Sequence, residues 1–429
     1  MTRIATALLL AAWGALAVGV LREPARSSDL LALWLAAQTF GQGDLLAIYP
    51  GAAALFTLQP PADWPARALA LGYDGVLFPY VYPPLWAALL APLTEILSFE
   101  TFAGLMRGLN VVLMAATGVL AWRIMGQTLP VLTHVAAGQV AMYATLFGTL
   151  PLSENQPQIL VTFLIALALE RLRGRAPAVA GVALALAAAI KVYPALFILL
   201  VMAAGQWRAV VPFAVAAGAL ALASVALAGW PLHAAFLSTL SAISRTSIEI
   251  GPSFSLDRVL APLLATAPAQ VIDETLASGA PGAAGWQVVA KSQIWAWITN
   301  ATLLAVLAVL AVWMHRAPDA RRFAAVWPAA LILLALPAPI AWIYYFCLPV
   351  MMAPALVPAM GRGIATTAVM VVLAPFSIAV MGALPGLGLT AGAVTPWGLP
   401  AMVILAALFA RYGGTPTPDR PLRRAGHPL

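Results

Sequence analysis

The chain has 429 residues, of which 63% are hydrophobic and only 9% charged, with a formal net charge of +7. No soluble domain of this size keeps so few charges on its surface, which excludes a water-soluble globular fold. Lys191 and Lys291 are the only lysines, and no basic stretch is interleaved with aromatic residues, so the positive balance reads as cytoplasmic loops rather than a nucleic-acid surface.

Apolar runs of roughly 16 to 22 residues recur along the chain, the pattern of an all-α polytopic membrane protein. Cys347 is the only cysteine, so an intrachain disulfide is impossible. His134, His233, His315 and His427 show no ligand spacing, and neither a metal nor a cofactor is expected.

Taken in order, 4–21 is the first apolar segment. Its length fits a retained helix better than a cleaved signal, with Arg3 in the cytoplasm and the following loop outside. That loop, 22–84, is the first long polar interruption, carrying Arg22, Glu23, Arg26, Asp29, Asp44, Asp63, Arg67 and Asp74. Within it Ser28 or Asp29 suits the cap of a short helix that lies flat at the interface. A second short helix is expected over 63–71. Further apolar segments follow at 85–97, 105–122, 131–150 and 158–169. Arg171, Arg173 and Arg175 then form a basic turn, placed in the cytoplasm.

Segments 179–190 and 193–204 read as a pair whose tip, Lys191-Val192-Tyr193-Pro194, faces outward. Segment 210–228 leads to a second large polar region, 230–292. Five more segments are expected, at 294–313, 324–340, 343–359, 364–383 and 397–410. The basic tail 411–429 reads as disordered and cytoplasmic. Thirteen segments cannot place both ends in the cytoplasm. The excess falls between 80 and 170, where one segment is re-entrant or a long stretch is two half-helices, leaving about 12 spans.

A few residues stand out as carriers of chemistry. Asp29, at the membrane surface, suits a general base, although a helix cap is the plainer reading of its spacing alone. Lys191, between apolar stretches, is either paired with an anionic phosphate or snorkels to the surface. Asn155 and Gln156, after Glu154, suit sugar hydroxyls or helix contacts. Tyr80, Tyr82, Trp342 and Tyr344 suit an interfacial belt or sugar stacking, and Arg245 and Arg258 suit a phosphate or a structural role. No Walker loop, nucleophile elbow, HExxH motif or DxD pair is present.

As an ordered set these residues resemble a known family. Ser28-Asp29-Leu30 with Trp34, Gly43 to Tyr49-Pro50, Phe78-x-Tyr80-x-Tyr82-Pro83-Pro84, Asn155-Gln156, and Ala180-Gly181 through Lys191-x-x-Pro194 are similar to glycosyltransferase family 87, over roughly 25–350. The resemblance implies a single GT-C type membrane domain, 1–410, with 22–84 as its first outer, catalytic loop and 230–292 as its second. Short interfacial helices are expected in those loops. It also implies transfer of a hexose, mannose first, from a polyprenyl-phosphate donor to a lipid or glycan acceptor. The site would lie on the periplasmic side of a bacterial plasma membrane, among membrane lipids and without nucleic acid. Asp29 then matches the family's base and Lys191 the lysine beside the donor phosphate. The family's Trp-x-His-Tyr departs here to Trp342-Ile343-Tyr344-Tyr345. A polytopic transporter or lipid flippase is the alternative. It needs ionisable groups within the spans, and Arg107 and His134 are the candidates.

Overall fold

A computed structural model gives the fold and describes residues 3–23, 25–49, 55–251, 253–278 and 281–414. Pro50 of the loop motif and 415–429 of the expected tail lie outside the described residues. Arg411 is not tail but the last turn of a helix, Gly398–Tyr412. Among the described residues, Arg3–Arg22, Phe99–Ile124, Trp207–Ser244, Gln293–Arg316 and the stretch Ile343–Met360 are long and apolar enough to cross a membrane. Leu105, Val112, Leu222, Leu304 and Val309 on these helices are exposed, a surface made for lipid rather than water.

The first half runs α1 (Arg3–Arg22), α2 (Ser28–Gly41), α3 (Trp64–Ala70), α4 (Pro84–Ile96) and α5 (Phe99–Ile124). The expected helix over 63–71 is α3. The expected flat helix is α2, and it does not lie at the surface. It is apolar on every side, so it is sunk in the protein, with Leu30, Leu31, Leu35 and Ala36 fully buried. Trp34 packs with its ring centroid 5.1 Å from that of Phe102 and 6.0 Å from that of Phe99.

The polar contacts of α5 fix its direction. Near its start the Ala103 carbonyl accepts from Asn155 (2.8 Å), and Arg107 reaches the Val20 and Glu23 carbonyls (3.0 and 2.6 Å) at the end of α1. At its far end Arg123 pairs with Glu170 (3.4 Å) and the Ile124 carbonyl accepts from Arg173 (2.8 Å), beside the 171–175 basic turn. Trp86, near the start of α4, donates to the Ala189 carbonyl (2.7 Å), beside Lys191. Thus α4 starts at the end of the molecule opposite the basic turn, and it leads into the start of α5 at that same end. The segment expected at 85–97 is α4, which packs along α2.

Next come α6 (Val131–Tyr143), α7 (Leu146–Ser153), α8 (Gln158–Arg173), α9 (Pro177–Ile190), α10 (Phe197–Ala203) and α11 (Trp207–Ser244). The 131–150 stretch is two half-helices. It breaks at Thr145, which is extended (φ −136°) and bridges Ser377, while Ile378 N–H donates to the Ala144 carbonyl (2.9 Å). Small residues let α9 approach α11 closely. A Cβ on Gly181 would sit 2.2 Å from the Ala209 carbonyl oxygen, so only glycine fits. At 38 residues α11 would span about 57 Å if straight, nearly twice a hydrocarbon core of ~30 Å. It bends at Gly229, which is non-helical (φ 75°), just before Pro231.

The 230–292 region is therefore helical to Ser244 and then folds as a small mixed unit rather than a loop with helices alone. β1 (Thr246–Glu249), α12 (Asp257–Leu264), β2 (Gln270–Thr275) and β3 (Pro281–Ala290) form an antiparallel sheet of order β1-β3-β2 beside one short helix. Ile248, Trp286 and Val288 point inward onto Phe56 and Leu58 of the first loop, so the 22–84 and 230–292 regions share a core. Lys291 forms a buried ion pair with Asp257, which also accepts from Trp295 (2.8 Å) and Thr299 (3.3 Å) at the head of α13 (Gln293–Arg316). That cluster fastens β3, α12 and α13 together. The rest of the chain returns through 319–360, 362–376 and 398–412 as broken helices.

Candidate active site

The turn at Ser153–Gln156, between α7 and α8, grips the start of α2 residue by residue. Ser27 N–H donates to the Ser153 carbonyl (2.8 Å), and Ser28 Oγ donates to Glu154. Asn155 Nδ2 approaches Ser27 Oγ (3.4 Å), and Gln156 Nε2 donates to Asp29 Oδ2 (2.6 Å). Ser27 and Asn155 both take left-handed backbones (φ 56° and 51°), which brings the two segments face to face. The expected cap is not formed. Ser27 holds the cap position without a side-chain cap bond, because Ser28 and Asp29 are committed to the turn.

Gln156 is the hub. Its Nε2 also donates to Tyr344 Oη (3.1 Å), and its Oε1 accepts from Tyr82 Oη (2.7 Å). Lys191 ends α9, and its Nζ lies over three tyrosine rings, 5.1 Å from that of Tyr344, 5.2 Å from Tyr345 and 5.6 Å from Tyr82. Such contacts stabilise an ammonium without neutralising it. Among the described residues no carboxylate lies within ion-pairing distance of Lys191.

Asp29, Gln156, Lys191, Tyr82, Trp342 and Tyr344 line one cavity of about 870 Å³, with Arg258 further along its wall. The volume suits a small-molecule site, typically about 300–1,000 Å³. The first loop, α7, the tip after α9, the C-terminal part of α11 and the 338–345 turn all contribute lining. Phe236, Leu240, Phe254 and Phe376 make one side apolar.

The remaining residues singled out in sequence lie elsewhere. Asn155 is buried in helix packing, donating to Ala103 and accepting from Asn110 (2.8 Å each). Tyr80 is fully buried behind Tyr82, its ring 5.7 Å away and its hydroxyl on the Pro83 carbonyl (2.6 Å). Arg245 is exposed and does not line the cavity. Of the two candidates for a transport pathway, Arg107 is tied to α1 carbonyls and His134 to the Met351 carbonyl (3.1 Å).

The structure adds Glu154, Tyr193, Tyr345, Glu249 and Trp286 to the lining. Glu154 was visible as part of a polar cluster. Tyr193 and Tyr345 flank residues already singled out, and their rings meet at 5.0 Å.

Burial dominates the ionisation of this site. It pushes the Asp29 carboxyl above the ordinary carboxylate range, with the Lys191 charge and the Gln156 hydrogen bond opposing. It pushes the Lys191 ammonium down, with the Asp29 charge opposing. Burial first, and the Asp29 charge second, push Glu154 up to about 8. The site therefore holds a carboxyl group and an ammonium whose ionisation burial draws toward neutrality, a condition that suits acid–base work at physiological pH. Among the described residues no group of three His, Cys, Asp or Glu is placed to hold a metal ion.

The profile of glycosyltransferase family 87 matches residues 80–337. That span includes Tyr82, Gln156 and Lys191, while Asp29 lies well before it and Tyr344 just after it. No curated protein matches the chain.

Proposed function

The chain belongs to glycosyltransferase family 87 and is a glycosyltransferase of the membrane, and we propose that Asp29 is its general base and that its donor is a polyprenyl-phosphate hexose, mannose first. The acceptor is a lipid or glycan hydroxyl. Asp29 takes the hydroxyl proton as the oxygen bonds to the anomeric carbon. The bond from that carbon to the phosphate oxygen breaks, and polyprenyl phosphate leaves with the electron pair. Lys191 steadies the departing dianion, acting where charge develops in the transition state. Tyr82, Tyr344 and Trp342 form an aromatic wall beside the sugar, and the apolar side of the cavity receives the first isoprene units. Arg258 is the second candidate for phosphate.

We infer twelve crossings within one GT-C-like domain. The twelve are α1, α5, the α6–α7 pair, α8, α9, the segment through α10, α11, α13 and the four expected segments 324–340, 343–359, 364–383 and 397–410, with α2 and α4 confined to the outer side. This count puts both ends in the cytoplasm and the cavity on the extracytoplasmic face of a bacterial plasma membrane, in keeping with the basic turns.

The observation that carries the reading is the meeting of Asp29 and Lys191 in one cavity through Gln156 and the tyrosines. The test is purified protein in nanodiscs given polyprenyl-phosphate mannose, scored for release of polyprenyl phosphate. Asp29→Asn abolishes release while donor binding persists. Full activity in that variant would remove Asp29 from the mechanism.

A further inference from the structure

Outside the main cavity, the exposed face of the small sheet holds a second one, of about 330 Å³, lined by Glu249, Arg258, Val271, Gly285, Trp286 and Gln287. Four of these residues, Glu249, Arg258, Gly285 and Trp286, also line the main cavity, so the two adjoin. The strand register makes the groove. Glu249 of β1 and Val271 of β2 both stand opposite Gln287 of β3, so the three side chains form a row across one face. Directly opposed residues share a face of the sheet. Gly285 lies two residues from Gln287 on that face, opposite Asp273. It leaves the floor open, because a Cβ there would lie 2.8 Å from the Ile272 carbonyl oxygen. Trp286 points the other way and braces the floor from beneath, donating to the Thr57 carbonyl (2.9 Å).

The chemistry of this row selects its ligand. A carboxylate accepts from two hydroxyls, an amide both donates and accepts, and a guanidinium donates. Together they match a polyhydroxylated chain. A phosphate or sulfate would meet Glu249 and, beside Gly285, Asp273, and like charge at close range disfavours it. An acyl or isoprenyl chain would find only Val271, since Trp286 is 2% exposed.

Resting on the glycosyl-transfer reading above, we propose that this groove binds the sugar residues of a glycan acceptor beyond the one that is glycosylated. The reacting residue sits at Asp29 and the rest of the glycan runs out over the sheet, away from the bilayer. The enzyme would then extend an existing glycan rather than place a first sugar on a bare lipid.

The test is saturation-transfer difference NMR on the full chain in nanodiscs, with linear gluco-, manno- and galacto-oligosaccharides of increasing length as probes. Binding that strengthens from monosaccharide to trisaccharide in at least one series is expected, with contacts on the sugars distant from the reacting end. Gln287→Ala removes the central amide and weakens that binding roughly three- to tenfold, the loss of one neutral hydrogen bond. Val271→Trp fills the groove from a position 70% exposed and abolishes it, with unchanged thermal unfolding showing that both variants fold. Absence of binding in every series, or binding indifferent to both variants, overturns the proposal. Asp29→Asn binds the same oligosaccharides but does not extend them. If it still extends them, the assignment of the base fails while the groove stands.

Discussion

Replacing Gln156 by leucine keeps the volume of a buried position and removes the one side chain that touches Asp29, Tyr82 and Tyr344 together. The bond that matters is the 2.6 Å donation to the Asp29 carboxylate. A hydrogen bond to a charged group contributes about 1.5–3 kcal/mol. If it holds the carboxylate in line during proton transfer, its loss lowers kcat by about 10- to 150-fold. The same donor stabilises the ionised form. Its loss therefore raises the Asp29 pKa by about one to two units, on top of the rise that burial already causes. A general base works ionised, so on the proposed mechanism the acid limb of the pH–rate profile moves to higher pH by that amount. The donor KM changes little, because Gln156 grips the base and not the phosphate. Gln156→Glu sets a second carboxyl against Asp29 and moves the limb further in the same direction. Polyprenyl phosphate release across a pH series in nanodiscs measures all of this. A leucine variant within about twofold of the wild-type kcat, with its acid limb in place, would show that the clamp on Asp29 is packing only.

Lys191→Met removes the cation over the three tyrosine rings. The expected loss is about 10²–10³ in kcat, together with loss of the basic limb, which in the wild type falls where burial has lowered the ammonium's pKa. Glu154 is ordinarily ionised above 4.5 but is pushed up to about 8 in the fold. Between those values the native state binds more protons than the unfolded chain, so its contribution to stability is intact at low pH and declines by a few kcal/mol as pH rises through the window. Thermal unfolding of wild type and Glu154→Gln against pH checks this, the variant giving the flatter curve. Asp257→Ala strands the Lys291 ammonium in a site where its side chain is 2% exposed, at a cost of about 3–5 kcal/mol. Hydrogen exchange is expected to rise across 246–290 and to stay unchanged in α5 and α8.

The polar residues of an apolar chain are the legible ones. Asp29, Gln156 and Lys191 could be picked out because a membrane protein carries so few groups of their kind, and all three line one cavity. Their neighbours show where that logic stops. Asn155 and Gln156 are adjacent, yet one is spent on Ala103 and Asn110 and the other on Asp29. The positive φ of Asn155 decides which points where, and nothing in the composition of Glu154-Asn155-Gln156 announces it. α4 has the apolar composition of a crossing. Only tertiary contacts, Trp86 to the Ala189 carbonyl and the packing of α4 on α2, show where it lies. The sheet was hidden for a different reason. β1 pairs with β3 across some forty residues, Thr246 opposite Ala290, and a strand defined by a distant partner leaves little local signal.

The chemical problem of such a site is to keep an acid and a cation together without letting them cancel. A direct ion pair between Asp29 and Lys191 would hold the carboxylate at low pKa, a poor base, and would occupy the ammonium before any phosphate arrived. Gln156 prevents this by giving Asp29 a neutral donor. The rings of Tyr82, Tyr344 and Tyr345 do the same for Lys191 by giving it neutral faces. Tyr344 serves both, since its hydroxyl takes the second Gln156 hydrogen bond while its ring lies beneath the ammonium. It stands where the resemblance to the family implies a histidine. An imidazole there would titrate and, when protonated, repel Lys191; a tyrosine does neither near neutral pH. On the proposed mechanism, a tyrosine at this position favours a lysine left charged for an anionic leaving group.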